Sequence, residues 1–181
     1  MGIAALVIVG LVLLAIILYN GLAQLRVRAD SAWADINVQL KRRHDLIPNL
    51  VETVKGYATH EKGTFENIAR YRSAAMSAST PAEKSQAEGQ LTQALRGLLA
   101  VAENYPQLQA SQQFTSLQGS LSEIEDAIQN SRRYYNAVVR DLNTKVVTFP
   151  SNIVAGMFGI QQRQFFELET PEDKQVPAVK F

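Results

Sequence analysis

Between Trp33 and Tyr57 the sequence WADINVQLKRRHDLIPNLVETVKGY places apolar side chains at Trp33, Ile36, Leu40, Ile47, Leu50, Val54 and Tyr57. Steps of three and four put them on one stripe of a helix, with Arg43 the position out of pattern. A seven-residue repeat keeps a narrow seam aimed at a partner helix, so the stripe has to be covered by other helices, of this chain or of a second copy. The opposite face, with Gln39, Lys41, Arg42, Asp45, Asn49, Glu52 and Lys55, reads as solvated. Pro48 falls inside the stripe without shifting its phase. A mid-helix proline removes a backbone hydrogen bond and crowds the preceding turn at about 3 kcal/mol, so a kinked continuous helix is expected rather than two helices.

Upstream, every residue from Ile3 to Tyr19 is apolar, glycine or tyrosine, and Leu22 and Ala23 extend the run. That is the length needed to cross a hydrocarbon core of about 30 Å, so residues 1–23 read as a transmembrane anchor. A cleaved signal peptide is the alternative, but nothing basic precedes the apolar core and the exit, YNGLAQL, offers no small-x-small site. Arg26 and Arg28 follow within two turns, and Lys41, Arg42 and Arg43 come later. The positive-inside rule then puts the N terminus outside and the remainder of this single-pass chain in the cytoplasm.

Leu22, Leu25 and Ala29 carry the heptad phase from the anchor into the stripe, which predicts one rod from Ile3 to Tyr57, about 80 Å long with about 50 Å clear of the bilayer. The pattern loosens from Gly56 to Gly63, where Thr59 is a candidate cap. A second helix follows with Phe65, Ile68, Arg72 and Ala75 on one face, ending at SAST-Pro81. Thr80 caps a third, with Pro81 in its first position, running to about Asn104 and closed by Tyr105 and Pro106. A long fourth stretch bears Phe114, Leu117, Leu121, Ile124, Ile128, Tyr135, Val138, Leu142, Val146 and Phe149 on a sustained heptad. Short connections favour antiparallel neighbours. The expected architecture is all-α: the anchor running into an elongated antiparallel three- or four-helix bundle over 24–149. Whether the break near Thr59 is a turn or a bend decides the count. An irregular apolar and aromatic tail, 150–181, carries Phe158, Phe165, Phe166 and Phe181. It either wraps back on its own bundle or docks on a neighbour or the bilayer.

The formal net charge of +1 gives no basic bias toward nucleic acid. With no cysteine, thiolate metal sites, disulfides and cysteine nucleophiles are excluded. His44 and His60 have no metal-motif spacing to each other or to a carboxylate, and each reads as a surface histidine. No phosphate loop and no serine elbow is present, so no catalytic, metal or cofactor-binding residues are assigned. The run Lys41-Arg42-Arg43-His44 reads as a solvated face with local pairs to Asp35, Asp45 or Glu125. The sharper reading is a contact with anionic lipid or an acidic partner; lipid is disfavoured because Lys41 would stand about 30 Å from Asn20, far beyond the ~8 Å screening length. Arg43, on the seam, has to snorkel or find a carboxylate, with Glu103, Glu123 and Glu125 as candidates. Such a pair fixes register more than it adds stability.

An apolar N-terminal anchor followed by W-x-x-I-x-V-Q-L-x-R-R-x-D-L-I-P-N-L-V-x-x-V-K-x-Y (Trp33 to Tyr57), E-N-Y-P-x-L (Glu103 to Leu108), R-R-x-Y-N (Arg132 to Asn136) and F-P-S (Phe149 to Ser151) resembles the bacterial LemA family. The likeness covers essentially the whole chain; Asn37 stands where members often carry aspartate. It implies a single-pass inner-membrane protein with a cytoplasmic helical bundle and no known enzymatic activity. Relatives include a protein involved in forming magnetosome membranes, and family genes often lie near a stress-related membrane metalloprotease. The expectation drawn from residues and resemblance together is a self-associating scaffold that organises or shapes the inner membrane or an envelope-stress complex. Its partners would be the phospholipid bilayer and further copies of itself. The alternative is an adaptor that regulates a membrane protease or sensor through its C-terminal tail. The residues expected to matter are Trp33, Arg42, Arg43, Asp45, Pro48 and Asn49, with Tyr105, Pro106, Arg133, Tyr135 and Asn136 as packing or polar-network partners and Phe158, Phe165 and Phe166 in the tail.

Overall fold

The computed structural model describes residues 2–167, so Phe181 and the segment PEDKQVPAVKF lie outside the described residues. Among the described residues the chain forms helices and no strand: α1 (Gly2–Lys55), α2 (Lys62–Ser77), α3 (Pro81–Ala102), the single turn α4 (Pro106–Gln109), α5 (Gln112–Val147) and α6 (Ser151–Met157). The apolar run and the stripe thus belong to one helix, which continues through Pro48. Its buried positions beyond the apolar run include Leu22, Leu25, Ala29, Ala32, Ile36, Leu40, Arg43, Ile47, Leu50 and Val54, spaced by threes and fours. Ala32, not Trp33, occupies the seam, and Trp33 stands half-buried at its edge. Tyr57 was expected on the stripe and is exposed. The helix has ended at Lys55, and a tight turn with Ala58 N–H donating to Val54 O inserts Ala58 instead.

The chain divides into two compact units. The first takes the chain up to Ile36 together with Ser131–Phe165; the second is built on Asn37–Asn130. In the second, Ile47, Leu50, Val51 and Val54 of α1 meet Phe65, Ile68 and Ala75 of α2, Leu91, Leu95, Leu98 and Ala102 of α3, Leu108 of α4, and Phe114 and Leu121 of α5. Four long helical segments therefore share this core. The break after Lys55 is a true turn. Glu61, not Thr59, sits at the N-cap of α2 and makes no side-chain capping bond. At α3 the expected cap is present: Thr80 accepts from Glu83 N–H while the Glu83 carboxylate accepts from the N–H groups of Thr80 and Ser79. Those two donors, Thr80's first, hold the Glu83 carboxyl below its ordinary value. Tyr105 and Pro106 do close α3, but Pro106 also starts α4.

In the first unit, Leu22, Leu25, Ala29, Ala32 and Ile36 of α1 are buried together with Tyr135, Val138, Val139 and Leu142 of α5 and Val154 and Ala155 of α6. The region beyond residue 150 was expected to be irregular, yet it opens with a helix. Ser151 Oγ donates to Lys145 O at 2.6 Å and to Thr148 O at 2.9 Å, joining the start of α6 to the end of α5. Phe149, expected on the α5 seam, falls between the two helices and is exposed.

Leu91 is fully buried in the four-helix core. Leu91→Ala should cost roughly 2–5 kcal/mol of unfolding free energy and Thr80→Ala about 1 kcal/mol, measured by urea unfolding of the full-length protein in detergent and followed by helicity. Because the Glu83 value is lowered on folding, the Glu83 part of the cap is present above the ordinary carboxylate range and lost as pH falls through the lowered value.

Candidate functional site

The most polar point of the buried interior is in the second unit. Arg43 is fully buried and its guanidinium is bound at both terminal nitrogens. Nη1 donates to Thr92 Oγ1 at 3.0 Å and to Glu125 Oε1 at 2.7 Å; Nη2 donates to a carboxylate oxygen of Glu88 and to the Glu88 carbonyl at 3.3 Å. The second Glu88 oxygen lies 2.8 Å from His44 Nε2. Arg72 Nε donates to the His44 carbonyl at 2.8 Å, so α2 joins residues of α1, α3 and α5 around one centre. Nε of Arg43 has no hydrogen-bond partner among the described residues.

Local sequence explains why these residues meet. On α3 the positions Lys84, Glu88, Leu91, Leu95, Leu98 and Ala102 alternate by four and three, so Glu88 fills a seam position as Arg43 does on α1. Each helix carries one fully buried charge in its seam, Arg43 and Glu88, and the two have opposite sign. A buried ion of either sign is tolerated only when paired and hydrogen-bonded, and both conditions are met here. Of the carboxylates expected to answer Arg43, Glu125 does so, whereas Glu103 and Glu123 are exposed and do not. Glu88 was not among them. The signal was present in the heptad of α3, where it breaks the apolar seam one turn before Leu91. His44, expected at the surface, is buried because its neighbour on α1 draws Glu88 into reach.

The first unit has a polar arrangement of its own. Tyr135 is buried, its ring 5.3 Å from that of Trp33, and its hydroxyl donates to Gln164 O at 2.9 Å. Asn143 accepts from Arg163 N–H at 2.8 Å and donates back to Arg163 O at 2.9 Å. The Arg163 guanidinium reaches Asp30 at 2.6 Å. Side chains of α5 thus satisfy the backbone of a segment that has no ladder of its own. Burial pushes the Tyr135 phenol above its ordinary value, with Arg163 opposing the shift.

Several of the remaining expected residues stand at the surface. Arg42 is exposed and donates to Gln39 at 3.0 Å, and Asp45 is exposed and paired with Lys41 at 2.8 Å. Lys41 as largest cause holds the Asp45 carboxyl below its ordinary value. Pro48 is half-buried, and Asn49 is exposed with its carbonyl accepting from Thr53 Oγ1. Tyr105 packs against the four-helix core, while Pro106 is exposed. Arg133 is exposed and Asn136 half-buried. In the tail Phe166 is fully buried, Phe165 is exposed, and the Phe158 ring lies 4.5 Å from that of Tyr19. A groove of about 260 Å³ between α2 and α3, lined by Thr64, Asn67, Tyr71, Gln90, Gln93, Ala94 and Gly97, carries amides and hydroxyls but no carboxylate or imidazole. Among the described residues no three His, Asp or Glu side chains converge to hold a metal ion.

Residues 32–181 match the sequence pattern of the LemA family. The chain is similar to magnetosome protein MamQ 2 of Paramagnetospirillum magneticum, with 24% identity over 92% of this chain and 71% of that protein. It is similar to magnetosome protein MamQ of Magnetospirillum gryphiswaldense, with 22% identity over 92% and 71%. Protein LemA of Metamycoplasma hominis is 30% identical over 70% of this chain and 58% of its own length.

Truncating Arg43 alone leaves Glu88 buried without its main partner, so Arg43→Ala should cost about 3–5 kcal/mol. A double-mutant cycle with Glu88→Ala measures the coupling: unfolding free energies in urea should show the double variant far less destabilised than the sum of the two. Burial holds the Tyr135 phenol above its ordinary value. Its contribution to stability is complete below the ordinary phenol value of about 10 and lost as pH rises through the raised one. Ultraviolet titration of phenolate should show a late step that Tyr135→Phe removes.

Proposed function

The chain belongs to the LemA family, and from that membership and the geometry above we propose that it is a membrane-anchored, self-associating helical scaffold that organises or shapes the bacterial inner membrane or an envelope-stress complex. The observation that carries this reading is that α1 is apolar and exposed from Ile3 to Ile17, while the same helix from Leu22 onward supplies buried core positions. α1 is long and apolar enough to cross a membrane. A side chain exposed on this scale and this apolar asks for lipid. Arg26 and Arg28, exposed just past the apolar run, support a cytoplasmic bundle with the N terminus outside.

The stripe of α1 is covered within this chain, so self-association has to use another face. Beyond the span α1 keeps Val27 and Ala34, seven residues apart, exposed with Ser31 between them. Small and β-branched residues on such a spacing let parallel helices approach closely. The similarity to the two magnetosome proteins supports an organising role over a turnover role. An adaptor that regulates a membrane protease or sensor by docking through the Phe158–Phe181 tail is the competing reading, and of that tail the residues from 168 onward lie outside the described residues.

Full-length protein in nanodiscs or mild detergent, sized by light scattering and imaged by electron microscopy, should form regular multimeric particles. Val27→Glu combined with Ala34→Glu should reduce them to single copies. A strictly monomeric wild-type protein would refute the scaffold and direct attention to the tail.

A further inference from the structure

Four large apolar side chains in the first unit face outward close together in sequence: Phe149 (75% exposed), Ile153 (54%), Met157 (77%) and Phe158 (56%). Two of them, Ile153 and Met157, are four residues apart on α6 and share the face opposite Ser151, Val154 and Ala155, which are buried. The helix is therefore apolar on both sides, and only one side is covered by the protein. What places the uncovered side is the contact of Phe158 with Tyr19, their ring centroids 4.5 Å apart. Tyr19 closes the apolar run of α1, about 24 Å along the helix from Ile3 at 1.5 Å per residue. That is the level at which a spanning helix leaves the hydrocarbon and where tyrosine rings concentrate.

A second contact sets the same level. A Cβ built on Gly21 would lie 3.3 Å from Lys145 Nζ, so the ammonium group at the end of α5 stands beside the first turn of α1 past Tyr19. An exposed lysine one turn beyond the aromatic level is where lipid phosphates lie. Apolar side chains, then an aromatic contact, then a cation follow one another in the order of a membrane interface.

We propose that α6, with Phe149 and Phe158, is a second membrane contact, lying in the interfacial layer of the bilayer that α1 crosses, with Ile153 and Met157 entering the acyl boundary and Lys145 meeting headgroup phosphate. The proposal rests on α1 spanning that bilayer. A helix held in the interface inserts its apolar face about 5–10 Å, shallower than the middle of the span. The continuity of this patch with the exit of the span selects lipid as its occupant.

The chain has no cysteine, so single nitroxide labels can be placed at will. Leu14→Cys, Asn152→Cys, Ile153→Cys and Met157→Cys would be labelled in the full-length protein in liposomes of phosphatidylethanolamine and phosphatidylglycerol. Collision with oxygen, which enters the bilayer, is compared with collision with a water-soluble nickel chelate. The labels at 153 and 157 should favour oxygen over nickel several-fold, at shallower depth than 14, while 152 favours nickel. If 153 and 157 favour nickel as 152 does while 14 stays in lipid, the second contact is overturned and the span stands. Exclusion of both reagents at 157 means protein covers the patch and also overturns it. Nickel access at 14 removes the span, and the proposal with it.

Discussion

A guanidinium with no access to solvent sets the terms for the second unit. Moving a charge of that size out of water costs several kcal/mol even after relaxation, so Arg43 can be buried only if its partners arrive in defined places. Glu88 and Thr92 bring α3 to it, Glu125 brings α5, and Arg72 ties α2 to the carbonyl of His44. Apolar seams alone tolerate a slip of one heptad, because leucine and isoleucine meet leucine and isoleucine in either register. A slip here would strand an arginine against an aliphatic layer and a glutamate against another. The ion pair therefore selects one register among several that the seams would accept. Arg43 Nε, without a partner among the described residues, shows that the selection is obtained at some expense in stability.

The first unit solves a different problem. Past α6 the described residues, to 167, form no helix, and the peptide groups of Arg163 and Gln164 lie against α5. Asn143 offers both its amide N–H and its carbonyl to one residue, Arg163, and Tyr135 reaches the next carbonyl, at Gln164. These two side chains play the part that a neighbouring strand would play in a sheet. The Asp30 pairing of Arg163 then links α1 to the same segment.

Periodicity made the helices legible, since a sustained alternation of three and four has no other economical reading. The stripe of α1, the long α5 and the bundle follow from it; the length of the apolar run gives the anchor, the residues before Pro81 give the Thr80 cap, and the family resemblance implies the same anchor and bundle. What periodicity left open were the ends and the exceptions. Trp33 and Ala32 are adjacent and both fit a seam; only packing decided that the smaller one goes in. Tyr57 and Phe149 continue a pattern on paper past the point where the helix has stopped, so they were assigned to a stripe that no longer exists there. Glu88 was legible in principle, as the charged member of an otherwise apolar heptad. The apolar Ala87 beside it, buried as well, gives an equally good local reading and masks the charge. His44 could not be placed without Glu88, since on its own helix it sits at the border of the seam.

The partners of Arg43 are also far from it along the chain, Glu88 by 45 residues and Glu125 by 82. During synthesis at about 5–20 residues per second, Arg43 waits on the order of 4–16 s for Glu125 to be made. Over that interval the apolar run of α1 has already been made, while the stripe behind it still lacks the cover that α5 supplies in the finished chain. Two copies made side by side would share that interval. The seam that is closed in the finished chain therefore stands partly open in the growing one.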